Sequence, residues 1–487
     1  MAELKHKAKH AIIWDLAGTF SQHGIGFIIS IFLARMLQPA EFGLVGIALV
    51  IINLLQIFSD LGFASALIQN KTNTSLTYSS VFYINIALGI SLVLLFQAGA
   101  PFIGDFYHNE KVTTVIRWLS LSIFISSLNI VQRTILARNI NFKTLTIRQV
   151  ISQCIGGLVG IYLAFMKCGV YALVAQNLVA TFVDVVILWR VAEWYPKLEF
   201  SWAEVKKLSS FSSYSFLSQL LNRFFSRLDV LVVGKIFAPA ILGYYSRADS
   251  VNALVTKYSS SSITKVFYPI LSKVQDDDVQ YKAILFRLLH FIAFISFLLT
   301  GIMVFAGPDI IILLFGKKWA PSVIIFQVLA LKSFVLPINS IIVSAFLAKG
   351  KSKENFWYGN VRRLVLVPMF FFAYFIGFKA FLWSVVGVAY ANWLFNNFVV
   401  TRHLNISFKK QLNTVFPYLL IFVSGYLLIY LLFYNVKSFL FLGTLKSFVY
   451  IGYYLLANYL LKTDSSTFVM KNGIQSWGRL KGSLKKV

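Results

Sequence analysis

The chain has 487 residues, of which 58% are hydrophobic and 13% charged, with 45 Lys plus Arg against 18 Asp plus Glu. Soluble domains carry closer to 25% charged residues, and this much apolar side chain cannot be enclosed in water-facing globules of ordinary size. What remains is a polytopic membrane protein, in which a formal charge of +27 points first to basic cytoplasmic loops and then to an anionic lipid or substrate, and not to nucleic acid.

In chain order, Lys5, Lys7 and Lys9 precede an apolar stretch that runs to about Leu37, too long for a signal-peptide core. It reads as an uncleaved first span. Runs of about 20 apolar residues then predict spans at 11 to 36, 43 to 68, 78 to 100, 113 to 137, 145 to 166, 169 to 190 and 209 to 234. Seven more follow at 240 to 270, 283 to 306, 321 to 346, 356 to 376, 378 to 401, 412 to 434 and 438 to 461. Backbone polar groups in hydrocarbon must be paired internally, and no β-barrel alternation is present, so the expected fold is all-α with about fourteen transmembrane helices. Cys154 and Cys168 sit in apolar surroundings and provide neither a disulfide framework nor a metal cluster.

Basic residues set the orientation. Both termini and the loops after even-numbered spans carry about 23 Lys and Arg, among them Lys206, Lys207, Lys409 and Lys410, whereas loops after odd-numbered spans carry about six. Both ends are therefore expected in the cytoplasm. The connector at 191 to 208, containing WYPKLEFSWAEVKK, is the longest charged one and marks a midpoint.

Across that midpoint the sequence repeats weakly. RMLQPAEFG at 35 to 43 matches KIFAPAILG at 235 to 243, and Asn141, Phe142 and Arg148 match Asn355, Phe356 and Arg362. The offsets, 200 and 214, are similar. They predict two six-helix lobes in pseudo-two-fold repeat, 1 to 195 and 196 to 405, with two extra helices and a basic tail at 406 to 487. Such repeats are typical of transporters that rock two halves around a central site.

Polar faces locate that site. Ser212, Ser215, Gln219, Asn222, Ser226 and Asp229 are spaced three or four apart on span 7, a stripe that lipid cannot face. The repeat offset sets Ser215, Gln219 and Asn222 against Asp15, Thr19 and Gln22 of span 1, so both lobes open with a polar helix. Ser, Asn and Gln also serve as helix-to-helix hydrogen-bonding groups, but two register-matched stripes favour a shared polar cavity. On span 8, Arg247, Lys257 and Lys265 share a face, and a mid-span Lys costs about 2.5 to 3.5 kcal/mol unless water, a counter-charge or a ligand attends it. Arg223, Arg227, Arg247, Lys257 and Lys332 are thus the candidate cations of a lumen. Asp184, Asp229 and Asp249 are candidate salt-bridge partners or coupling-ion sites. Asp60, Arg117, Arg133 and Arg148 are further embedded charges, while Arg287, Arg362 and Arg363 lie near span ends, where they can snorkel. Embedded bases outnumber acids, a balance that attracts phosphate and repels organic cations.

The stretches FLARMLQPAEFGLVGIALVI at 32 to 51, SDLGFASALIQ at 59 to 69 and RLDVLVVGKIFAPAILGYYSRAD at 227 to 249 resemble the polysaccharide flippases of the multidrug, oligosaccharidyl-lipid and polysaccharide exporter superfamily, of the colanic-acid exporter type. KVFYPILSKVQDD at 265 to 277 and LLFGKKWAPSVIIFQVL at 313 to 329 continue the match in family order. The resemblance implies a flippase that moves undecaprenyl-pyrophosphate-linked oligosaccharide from the cytoplasmic to the periplasmic leaflet of a bacterial inner membrane by alternating access, for lipopolysaccharide or exopolysaccharide biosynthesis. It implies a proton or sodium gradient for energy, no cofactor, no catalytic residue, and a polymerase and glycosyltransferases of the same pathway as partners. A drug or cation antiporter of the same fold would rely on buried acids, which are in the minority here. A membrane glycosyltransferase or polymerase would need a large outer loop, and the longest outer connectors are about a dozen residues. No Gly-rich phosphate loop, HExxH or paired-Cys spacing occurs. The run Asp276 to Asp278 reads as a solvated helix cap rather than a metal site.

Overall fold

The computed structural model describes residues 2–70, 72–436 and 441–463, excepting the side chains of 1–13, 15–17, 19–20, 209–215, 217–219, 255 and 257–266. The described residues are helical throughout, joined by short turns, as a chain that must satisfy its own backbone in lipid requires. Among them nine helical segments are long and apolar enough to cross a membrane, and ten if the bent pair at 110–138 is one span. The protein is a multi-span membrane protein. The helices at the other four predicted spans, 1, 7, 8 and 14, fall outside this count of described residues, and those at 1, 7 and 8 include residues whose side chains are not described.

Two compact units divide between Ser246 and Arg247. The first contains α1 (Ala2–Met36), α2 (Pro39–Leu55), α3 (Phe63–Gln69), α4 (Ser75–Phe106), α5 (Glu110–Ser127), α6 (Ile130–Arg138), α7 (Phe142–Phe165) and α8 (Val170–Val191). It continues through α9 (Trp202–Ser226), α10 (Leu228–Ile236) and the first residues of α11 (Pro239–Lys273), past the lobe boundary expected near residue 195.

Three predicted spans in this unit are broken. The stretch 43 to 68 runs as α2, then a turn of tighter helix at Gln56–Ser59, then Leu61 and Gly62 with φ of 47° and 83° before α3 begins. Gly62 fits because a glycine has no Cβ to clash in the left-handed region. The stretch 113 to 137 bends by 46° between α5 and α6. The stretch 209 to 234 breaks at Arg227, between α9 and α10.

Small residues bring the remaining helices close. On α7, a Cβ at Gly156 would stand 2.6 Å from the Gln176 carbonyl oxygen of α8, and one at Gly157 would stand 2.2 Å from Ile29 of α1. This is the small-residue packing that membrane helices use in place of a hydrophobic drive. The two repeated motifs meet in a reciprocal contact. Gly43 lies under the carbonyl of Pro239 and Gly243 under the carbonyl of Pro39, and a Cβ at either glycine would be 1.9 Å from that oxygen. Proline at the first position of both α2 and α11 starts each helix without a wasted N–H donor.

The second unit is built around α12 (Asp278–Phe315), followed by α13 (Pro321–Leu331), α14 (Val335–Ala348), α15 (Ser352–Leu364), α16 (Val367–Phe371), α17 (Phe378–Leu404), α18 (Phe408–Leu432) and α19 (Leu442–Leu460). Asp277 caps α12, its Oδ1 accepting from Val279 N–H at 3.0 Å and Gln280 N–H at 2.9 Å, so the acidic run is a helix start as expected. Asp278 pairs with Lys349 at 2.6 Å. The core joins α12 to α14, α17, α18 and α19. Its buried tyrosines Tyr450 and Tyr454 donate to the carbonyls of Phe297 and Phe294, each at 2.9 Å, which disposes of hydroxyls that would otherwise be costly in an apolar core.

Candidate functional site

The breaks in the first unit open a polar cavity of about 560 Å³, within the range of small-molecule sites. The turn after α2 sets Asp60 in its wall. Asn129 and Arg133 come from the start of α6, four residues apart on one helical face. Arg148 and Ser152, with Gln149 and Gln153, repeat that spacing on α7, and Asp184 comes from α8. Gln22 of α1 and Arg223 of α9 complete the polar wall.

Both acids are committed. Asp184 contacts Arg148 Nη1 and also accepts from Asn129 Nδ2 at 2.9 Å, with the Arg148 side chain 5% exposed. Both contacts fall on Asp184 Oδ2, while Arg148 Nε is buried without a hydrogen-bond partner among the described residues. Asp60 Oδ1 accepts the Ala64 N–H at 2.9 Å and so caps α3. The bases are less committed. Arg223 Nη1 donates to the Asn53 carbonyl at 3.2 Å, while its side chain remains exposed. Arg133 is exposed and makes no ion pair or side-chain hydrogen bond with any described residue.

The structure brings Gln22, Arg223 and Asp184 together in this cavity. Arg223, Ser226 and Arg227 also line a second space of about 270 Å³ with Val50, Asn53 and Leu54. Asp229 is not in the cavity wall: Tyr245 Oη donates to its Oδ2 at 2.6 Å. In the second unit Lys332 is 3.3 Å from Asp249, an ion pair half shielded from solvent, and Arg247 is half-buried near the start of the same helix as Asp249. Asn222 is exposed on α9. The side chains of Asp15, Thr19, Ser212, Ser215, Gln219, Lys257 and Lys265 lie outside the described residues. Of the span-end arginines, Arg362 donates to Asn396 Oδ1 at 2.8 Å and Arg363 to Asn360 Oδ1 at 2.6 Å. Among the described residues no group of three or more His, Cys, Asp or Glu is placed to hold a metal.

Sequence reasoning counted Arg133 and Arg148 as embedded charges without assigning them to the site, and it passed over Gln56, Gln149 and Gln153. The available signal was the pairing of Asn129 with Arg133 and of Gln149 with Gln153 at helical spacing, on segments otherwise apolar.

Broken membrane helices around a charged, water-compatible cavity define the class of polytopic transport proteins, since irregular backbone at membrane depth is tolerated where it lines such a cavity. A family model described as polysaccharide biosynthesis protein matches residues 32–324, and the chain belongs to that family. The similarity to polysaccharide flippases read from the sequence motifs is thereby borne out. The chain is 24% identical over 368 residues to lipopolysaccharide biosynthesis protein WzxC of Escherichia coli (strain K12), covering 75% of each chain. It is 25% identical over 351 residues to succinoglycan biosynthesis transport protein ExoT of Rhizobium meliloti (strain 1021), covering 72% of this chain and 71% of that one. Among solved structures, lipid II flippase MurJ in an inward closed conformation matches with a TM-score of 0.74 at 16% identity, over 93% of this chain and 99% of that chain. This last likeness is one of fold.

Proposed function

We propose that this protein is a flippase that carries lipid-linked oligosaccharide units, of the undecaprenyl-pyrophosphate type, across the bacterial inner membrane for exopolysaccharide or lipopolysaccharide biosynthesis. The observation that carries the reading is the first-unit cavity, in which both acids are held by internal partners while Arg133 and Arg223 remain exposed. Amide and hydroxyl side chains beside guanidinium groups suit a sugar attached to an anionic group, because Arg makes paired hydrogen bonds to phosphate or carboxylate. A cation antiporter reading is less well served, since the acids it would use are engaged with Arg148, Asn129 and the α3 backbone.

In this proposal the lobes 1–195 and 196–405 alternate access, with 406–487 appended, and a proton or sodium gradient supplies the energy. Both termini face the cytoplasm, and the polymerase and glycosyltransferases of the pathway are functional neighbours. Arg227, Arg247, Lys257 and Lys332 serve the lumen with Arg223. No bond is made or broken.

The test is deletion of the gene with complementation. Loss of surface polysaccharide and accumulation of the lipid-linked precursor on the cytoplasmic leaflet are expected, and unchanged precursor flipping in the deletion strain would overturn the reading. Arg223→Ala with Lys257→Ala, expressed and inserted normally, is expected to fail in complementation.

A further inference from the structure

Each unit contains a three-residue polar cluster that joins three helices, and the two clusters correspond along the chain. In the first unit Arg148 of α7 and Asn129, at the start of α6, both donate to Asp184 Oδ2 of α8. In the second, Arg362 of α15 donates to Asn396 Oδ1 of α17 at 2.8 Å, and Asn396 Nδ2 donates to Asn339 Oδ1 of α14 at 2.5 Å. Asn129 and Asn339 are 210 residues apart, Arg148 and Arg362 are 214, and Asp184 and Asn396 are 212. ILAR at 135 to 138 and FLAK at 346 to 349 keep the same frame. Each asparagine also follows an interruption: Asn129 stands in the bend between α5 and α6, and α14 begins after a break at 332–334 that ends α13. The clusters differ in one chemical respect, a carboxylate at 184 against an amide at 396. A carboxylate only accepts, so both neighbours of Asp184 donate to it. An amide accepts at oxygen and donates at nitrogen, so Asn396 takes the arginine on one side and passes a hydrogen bond to Asn339 on the other. Asparagine in the remaining place serves both cases, because it can present its nitrogen to a carboxylate or its oxygen to an amide.

We infer that these are two copies of one clamp, which fixes the interrupted helix of each lobe against the next two spans, and that Asp184 is a positioning residue whose negative charge the transport cycle does not use. The second unit closes the same clamp with a neutral amide, so the function common to both copies is hydrogen bonding between helices and not titration. Asn129 and Asn396 are 7% and 6% exposed, and polar groups so far from water cost free energy unless they are paired. Each clamp therefore favours the one packing of its three helices in which all its members are paired. The first clamp is neutral as a whole, whereas the second contains no acid and keeps the guanidinium charge. This assignment rests on the two-lobe flippase reading and deepens it: Asp184 leaves the candidates for ion coupling, and Asn339, Arg362 and Asn396 join the residues that hold the lobes in shape.

The experiment compares Asp184→Asn, Asp184→Ala, Asn396→Asp and Asn396→Ala in the full-length protein. The readouts are the melting temperature of the purified protein and complementation of the gene deletion across a range of external pH. The charged groups around residue 184, Arg148 of α7 and Arg133 of α6, are unaltered in all four variants. Both alanine variants open a clamp and are expected to lower the melting temperature by a few degrees or more and to reduce export. Asp184→Asn keeps the hydrogen bonds and loses only the charge, so it is expected to melt above Asp184→Ala and to support export with the pH profile of the wild type. Asn396→Asp gives Arg362 a counter-charge and is expected to keep export and to raise the melting temperature. Loss of export in an inserted Asp184→Asn protein, or a shifted pH profile, would give the carboxylate a role in coupling and overturn the assignment. So would an Asp184→Asn protein no more stable than Asp184→Ala, a melting temperature lowered by Asn396→Asp, or alanine variants that melt and export like the wild type. The flippase reading fails separately: if the deletion strain flips precursor unchanged, that reading falls, while the melting temperatures still decide whether the clamps hold the helices.

Discussion

The cavity of the first unit and a groove in the second have opposite walls. The groove, about 950 Å³, is lined by Trp383, Phe422, Tyr426, Tyr430 and Phe433, with Asp309 and Lys446 as its charged members. Asp309 is occupied, its Oδ2 accepting from Thr444 N–H at 2.6 Å and Thr444 Oγ1 at 2.7 Å. The groove lies along the unbroken helices α12 and α18, whereas the cavity lies where helices break. The difference follows from the chain's own chemistry. A break must be attended by polar groups, and Asp60, Asn129 and Arg133 lie at or beside the breaks, while the continuous helices α7 and α8 add Arg148, Gln149, Gln153 and Asp184 to the same wall. Aromatic walls select for apolar chains, and guanidinium with amides selects for anions and hydroxyls.

The strongest attack on this contrast is Arg148→Ala, which leaves the Asp184 carboxylate without its cation in a buried place. A loss of about 3 to 5 kcal/mol is expected, read as a lowered melting temperature of the purified protein, with Arg148→Ala plus Asp184→Ala recovering part of it. Next comes Gly43→Ala, which drives a methyl group against the Pro239 carbonyl and is expected to cost about 1 to 3 kcal/mol. Gly46→Ala is its control: there the nearest atom to a new Cβ is Ser246 Oγ at 3.7 Å, ordinary contact, and thermal stability should be unchanged. Tyr450→Phe, in the second unit, removes the hydroxyl from the Phe297 carbonyl and should cost about 1 kcal/mol without altering binding of charged saccharides. The smallest effect is expected from Asp277→Ala, about 0.5 to 2 kcal/mol through loss of the α12 cap, measured by hydrogen exchange in the first turn of α12.

Much of the fold could be read from the sequence because lipid allows so few solutions: long apolar runs had to be helices, and each predicted span is occupied by helix in the described residues. Where the helices break was not read. SDLG at 59 to 62 carries a glycine and an acid, but hydropathy averaged over 20 residues conceals a four-residue turn, and the bend after Ser127 has neither Pro nor Gly to announce it. The site followed the same division. Gln22 and Arg223 were found from helical stripes, which are local patterns. Arg148 with Asp184, and Arg133 beside them, are joined only by the packing of α6, α7 and α8, whose small-residue contacts no single-helix pattern reveals.

The reciprocal contact of Pro39 with Gly243 and Pro239 with Gly43 bears on how the chain came to be. Each motif is both the ridge and the notch, so two copies of one ancestral segment could dock on each other from the first duplication without any complementary change. The same self-complementarity restrains later drift, because a side chain gained in one copy meets a backbone carbonyl of the other, which no rotamer can move aside. Related sequences are therefore expected to retain glycine at both positions even where the helices around them have diverged, and an alignment of the family is the measurement that reads it.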